Sequence, residues 1–219
     1  MQLIPKPQRQ SPTPPTPKTD SSLGLGAAAL EAGGEGVHVE GGDRSLSVYD
    51  SQAMTCLSDL PRVVIFIDGS NLFYAAAILG IEIDYARLLK CLTGNRRLVR
   101  AYFYTGVDPT NEKQQGFLLW MRRNGYRVVT KELVQLPDGS KKANLDVEIA
   151  VDMMQLSQYC DLMVLLSGDG DLAYAVNTIA YRGVQMEVIS LRSMTSDSLI
   201  NVADRYIDLE TIKHELQRS

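Results

Sequence analysis

The chain has 219 residues, 45% of them hydrophobic, with 22 Lys and Arg against 26 Asp and Glu, for a formal net charge of −4. That length suits one domain of ordinary size plus a tail, and the charge excludes nucleic-acid binding through overall basicity, though not through a local basic patch. No apolar run approaches the ~20 residues of a membrane span, and Lys6 and Arg9 lead into prolines instead of the apolar core of a secretory signal.

A cytoplasmic protein with no membrane partner is therefore expected. The cysteines are Cys56, Cys91 and Cys160, an odd number without a C-x-x-C pair. They argue against a disulfide framework or a zinc site and for a reducing compartment. The histidines, His38 and His214, are too few for a His-based metal site or a Ser-His-Asp triad, and His214 reads as a solvated helix residue.

Residues 1–60 are rich in Pro, Ser, Thr and Gln and then in Gly, Ala and Glu, with Tyr49 the sole aromatic. Such a segment cannot bury enough apolar surface to offset its ordering entropy, so a disordered tail is expected. Pro12-Thr13-Pro14-Pro15 has the composition of a polyproline II ligand, and Ala27 to Leu30 allow at most a transient helical turn. Residues 61–219 are expected to form the folded domain.

From Arg62 strands and helices alternate. Val63 to Ile67 is a continuous β-branched and aromatic run, the pattern of a strand buried on both faces. It ends in Asp68-Gly69-Ser70-Asn71, read as an acidic turn, before a helix from Leu72 to Leu79 stopped by Gly80. Asp84 caps a helix from Tyr85 to Cys91 that stops at Gly94. A strand from Leu98 to Tyr104 follows, then a helix from Asn111 to Asn124 and a strand from Tyr126 to Thr130. Leu136 to Lys141 carries a turn signal for a small hairpin. Leu145 to Ser157 is a strong helix pattern and Leu162 to Leu166 the fourth main strand. After Ser167-Gly168-Asp169-Gly170-Asp171 come a helix from Leu172 to Tyr181 and a strand from Val184 to Ile189. A short helix from Ser196 to Ala203, an edge strand from Arg205 to Asp208 and a last helix from Leu209 to Leu216 complete the chain.

Strands and helices alternating at this length predict an α/β fold, a three-layer α/β/α sandwich on a mainly parallel sheet of five or six strands. The expected order is 3-2-1-4-5. In such a sheet the functional crevice lies at the carboxyl ends of the strands where the order reverses, here between the first and fourth. The first ends in Asp68, the fourth in Asp169 and Asp171.

Asp146 supplies a third element. At 100° per residue it falls in line with Ile149, Ala150 and Met153, on the core-facing stripe of its helix, whereas Glu148 and Asp152 fall on the solvated face. A lone carboxylate on an apolar stripe costs several kcal/mol unless paired or metal-bound. Asp68, Asp146, Asp169 and Asp171 are thus expected to share one pocket, and a hard divalent cation, Mg²⁺ or Mn²⁺, relieves their repulsion. Each has a structural alternative. Asp68-Gly69 is also an ordinary turn, Asp146 a helix-start residue, and Asp171 a cap for the helix after it. Ser167 and Asn71 serve either as turn residues or as partners that orient a carboxylate.

Other motifs carry less. Asp169-Gly170-Asp171 fails the spacing of an EF-hand calcium loop, and there is no P-loop or dinucleotide fingerprint. Arg96, Arg97 and Arg100, Arg122, Arg123 and Arg127, and Lys141 and Lys142 read as solvated surface. Lys141 and Lys142 stand close enough to Asp146 in sequence to offer a contact to a substrate phosphate. Tyr102, Tyr104 and Tyr126 read as core or rim.

Taken together, Val63 to Asn71, Lys142 to Met153 and Leu165 to Asp171 resemble the NYN domain, in its LabA-like branch of the PIN-like nuclease superfamily. The resemblance covers Arg62 to Leu209. It implies an α/β/α sandwich and an acidic set, Asp68, Asp146, Asp169 and Asp171, supported by Asn71 and binding Mg²⁺ or Mn²⁺ to cleave RNA. Leu172 replaces the family's usual Phe, and Lys142 stands one residue further from Asp146 than the family's Lys. The leading expectation is a metal-dependent endoribonuclease acting on single-stranded RNA, with Lys142 as a phosphate contact. The alternatives are a non-catalytic regulatory module binding RNA or protein, and a small-molecule phosphohydrolase. A homodimer and a protein partner held through residues 1–60 are further candidates.

Overall fold

The computed structural model describes residues 59–218 except 136, 138 and 140. Residues 1–58 of the expected tail, with its Pro12 to Pro15 segment, the Ala27 to Leu30 turn, His38 and Cys56, lie outside the described residues, as does part of the Leu136 to Lys141 turn.

The elements follow in the order β1 (Arg62–Asp68), α1 (Gly69–Leu79), α2 (Tyr85–Thr93), β2 (Arg97–Val107), α3 (Glu112–Arg123) and β3 (Tyr126–Glu132), then a small pair, β4 (Val134–Gln135) and β5 (Lys141–Lys142). After them come α4 (Asp146–Leu156), β6 (Leu162–Leu166), α5 (Ala173–Ala180), β7 (Gln185–Ser190), α6 (Asp197–Ile200), β8 (Arg205–Asp208) and α7 (Leu209–Leu216). The main sheet has six strands in the order β3-β2-β1-β6-β7-β8, every neighbour parallel. This is the expected order, with β6 and β7 as fourth and fifth strands and β8 as a sixth at the edge. β4 and β5 pair antiparallel as a separate hairpin.

Strand alternation divides the core. Val63, Ile65 and Ile67 of β1 join one buried cluster with Leu72, Leu88, Leu118 and Leu216. Val64 and Phe66 join the other, with Ile149, Met153, Val176 and Leu199. Helices α1, α2, α3 and α7 therefore cover one face and α4, α5 and α6 the other. Each fully buried aliphatic side chain contributes on the order of 1.5–3 kcal/mol, which makes β1, with five consecutive fully buried residues, the centre of the fold.

Polar contacts shift several boundaries and environments from those expected. Helix α1 begins at Gly69, not Leu72, because Asp68 caps it directly. The helix expected from Leu172 starts as a 3-10 turn, Gly170–Leu172, and α6 is shorter than expected. Arg96 is not a solvated residue: it pairs at 2.7 Å with Glu187, a β7 side chain only 4% exposed, which Arg205 also meets at 3.3 Å. Asp152 is not merely solvated either, since it accepts a 2.8 Å hydrogen bond from the buried Tyr104 hydroxyl. Glu148 pairs with Lys131 at 2.7 Å. Cys91 and Cys160 form no disulfide, and His214 is exposed.

Candidate metal centre

The register of the sheet builds the site. Ile67 of β1 pairs with Leu166 of β6, so the next residues, Asp68 at the end of β1 and Ser167 just past β6, stand side by side at the point where strand order reverses. The Asp68 Oδ1 accepts from the N–H groups of Ser70 at 3.0 Å and Asn71 at 3.2 Å, the N-cap contact that starts α1. Its Oδ2 accepts from the Ser167 hydroxyl at 3.3 Å. The second corner repeats the device. Asp169 Oδ1 accepts from the Asp171 N–H at 3.0 Å, and the Asp169 N–H donates to Ser167 Oγ at 3.2 Å. The capping role offered to Asp171 therefore belongs to Asp169, whose extended backbone precedes the helical turn.

The glycines of these corners serve close approach. Neither Gly69 nor Gly168 has a positive φ. A Cβ on Gly168 would run into the Met194 carbonyl oxygen and come within 2.8 Å of Ser190 Oγ, and one on Gly69 would lie 2.7 Å from the Phe103 ring.

The first residue of α4 is Asp146, whose N–H donates to Asn144 Oδ1 at 2.9 Å. A helix N-terminus favours negative charge at this position. One carboxylate oxygen from each of Asp146, Asp169 and Asp171 lies within 4.8 Å of the others. Asp68 stands beside this cluster, not in it, with Oδ1 committed to the α1 cap. It shares a cleft of about 180 Å³ with Asn71, Tyr74, Lys142, Asp146 and Asp169. Asp171, exposed, meets the other two carboxylates without lining that cleft. The Asn71 side-chain carbonyl accepts from Ser190 Oγ at 3.2 Å, which fixes the amide at the cleft wall.

The electrostatics point one way. Burial pushes the Asp68 carboxyl above its usual range against the pull of its backbone hydrogen bonds, and the Asp146 charge pushes it further. Burial also raises Asp146, as do the charges of Asp169 and Asp171, while Asn144 and Lys142 oppose the rise. Three acidic groups thus converge with incomplete neutralisation. A donor set of carboxylate oxygens alone suits a hard divalent cation better than a transition metal that prefers nitrogen or sulfur, so the residues present fit Mg²⁺ or Mn²⁺.

The contributions of Ser190, which orients Asn71, and of Tyr74, which lines the cleft, were not read from sequence. Ser190 ends β7, and its place at a strand's carboxyl end was the available signal. Tyr74 lies one turn after Ser70 and Asn71, a phase hidden by starting the helix at Leu72.

Comparisons with known proteins agree with this architecture. The sequence profile of the NYN domain matches residues 62–210. The chain is 38% identical over 167 residues to the low amplitude and bright protein LabA of Synechococcus elongatus, covering 72% of this chain and 89% of that protein. Among solved structures, a protein of unknown function from Vibrio parahaemolyticus superposes with a TM-score of 0.63 at 27% identity, covering 73% of this chain and 97% of the other.

Proposed function

The chain belongs to the NYN domain family, and from that membership we propose that it is a metal-dependent endoribonuclease hydrolysing phosphodiester bonds of single-stranded RNA. The observation that carries the reading is the convergence of Asp146, Asp169 and Asp171 to within 4.8 Å at the strand-order reversal.

These three carboxylates would hold Mg²⁺ or Mn²⁺, with Asp68 facing the same cleft. Bound there, the ion supplies Lewis-acid stabilisation of charge on the phosphate and eases ionisation of water. The remaining roles belong to the chain. Ser167 holds the Asp68 and Asp169 corners at a fixed separation through its two hydrogen bonds. Ser190 orients the Asn71 amide at the cleft. Lys142, which lines the cleft beside Asp146, offers its ammonium group to a substrate phosphate.

The test is cleavage of labelled single-stranded RNA by purified protein with Mn²⁺. Cleavage should disappear with EDTA and with Asp169→Asn. Equal cleavage by wild type and Asp169→Asn removes the reading. RNA binding without turnover in the wild type would favour a regulatory module instead.

A further inference from the structure

A second concavity lies beside the acidic cluster, between α4 and α5. It encloses about 300 Å³ and is walled by Ala150, Val151 and Met154 of α4 and by Tyr174, Ala175 and Thr178 of α5, with apolar atoms turned to its interior. Tyr174 is 83% exposed and Val151 47%. An exposed aromatic ring beside an apolar groove offers a flat face against which another planar group can stack.

Its position is specific. Ala150 stands four residues after Asp146 on α4, and Tyr174 stands three after Asp171. Both spacings are one helical turn, so the groove opens directly behind two of the three clustered carboxylates. At its far end is a cation. The exposed Arg182 lays its guanidinium on the end of α4, donating to the Ser157 hydroxyl at 3.3 Å and to the Met154 carbonyl at 3.5 Å. Eight residues of helix put that end ~12 Å from Asp146. The order along the surface is therefore a candidate cation site, an apolar groove with an exposed ring, and a guanidinium. In a single-stranded nucleic acid, phosphates recur along the backbone and a base projects from each sugar between them, so phosphate and base contacts can be made on neighbouring patches of one surface.

We propose that the groove is a base-stacking subsite for single-stranded RNA, in which Tyr174 lies against a nucleobase adjoining the phosphate at the acidic cluster and Arg182 meets a phosphate further along the strand. The proposal rests on the nuclease reading of that cluster. Apolar walls offer a base its π-face contact and no partner for its Watson–Crick edge. The subsite therefore accepts any base and selects for strandedness, because a base in a duplex cannot leave its stack without cost.

The experiment measures binding of a labelled single-stranded oligonucleotide, by fluorescence anisotropy with Ca²⁺ in place of Mn²⁺, alongside KM and kcat with Mn²⁺. Wild type, Tyr174→Phe and Tyr174→Ala are compared. The exposure of Tyr174 means that folding should survive, and thermal melting checks it. Tyr174→Ala is expected to weaken binding on the order of 10-fold or more and to raise KM with little change in kcat. Tyr174→Phe, which keeps the ring, should match wild type, and an abasic nucleotide at the matching position should add nothing to Tyr174→Ala. Unchanged binding by Tyr174→Ala overturns the subsite while leaving the nuclease reading intact. So does an equal loss on duplex RNA, or a loss of self-association with RNA binding unaltered, which would make the face a protein interface. A wild type that neither binds nor cleaves RNA removes the nuclease reading and the subsite with it.

Discussion

The hydroxyl of Ser167, at the end of β6, donates to the carboxylate of Asp68, at the end of β1, across 3.3 Å. The same oxygen accepts from the Asp169 N–H at 3.2 Å. One fully buried side chain, 99 residues from Asp68 in sequence, therefore joins the two capped corners. Ser167→Ala leaves the Asp169 N–H without its acceptor and Asp68 Oδ2 without the serine donor, while Oδ1 keeps its two backbone donors. A loss of ~1–3 kcal/mol in urea unfolding is expected, together with weaker Mn²⁺ binding. Unaltered stability would show that water replaces the hydroxyl on both sides.

Gly168 and Gly116 should respond to alanine with opposite signs. At Gly168 a methyl group meets the Met194 carbonyl and Ser190, and the strain should cost ~1–3 kcal/mol. Gly116 lies in the middle of α3, exposed, with nothing near its absent Cβ. Gly116→Ala should stabilise by ~0.5–1 kcal/mol through the lower helix propensity of glycine. Chemical denaturation of the two variants reads both effects.

Glu187 distinguishes its two arginines. Arg96 is 20% exposed and Arg205 62%. Arg96→Met leaves a buried carboxylate without its main partner, an effect of ~3 kcal/mol. Arg205→Met removes a solvent-screened contact and should change stability by less than ~1 kcal/mol. Equal losses in denaturation would contradict this account of the pair.

The ion pair between Arg62 and Asp161 sets an acid-side dependence. The guanidinium at 2.8 Å, with the Arg62 N–H, holds the Asp161 carboxyl down at about 2. A folded value below the ordinary ~3.9 means that the contribution is present above that value and fades as pH falls through about 2. Carboxyl-carbon NMR should place the Asp161 midpoint there, and Arg62→Met should return it toward the ordinary range. A wild-type midpoint already near ~3.9 would mean that the pair does not persist in solution.

Much of this architecture was legible in the chain. The run Val63 to Ile67 announced a doubly covered strand, and alternation with helices fixed parallel pairing and the reversal between β1 and β6. The helix phase of Asp146 pointed it toward the same crevice. Long-range polar partnerships were not legible. Nothing in local periodicity ties Tyr104 to Asp152 or Arg96 to Glu187, although Glu187 lies between Met186 and Val188 in a strand and could have marked a buried charge. Asp169 and Asp171 look alike as cap candidates in sequence, and only backbone geometry separates them. The four acidic residues also differ more than their shared chemistry suggested. Three cluster, while Asp68 divides its oxygens between a helix cap and a serine.

Cation binding at the carboxylate cluster underlies every proposed role of the site. Crystals soaked in Mn²⁺, with data recorded at the manganese absorption edge, test it directly. An anomalous peak within ligand distance of the Asp146, Asp169 and Asp171 carboxylates, lost in Asp169→Asn crystals, is the expected result. A map with no peak at that cluster under saturating Mn²⁺ would contradict the central claim.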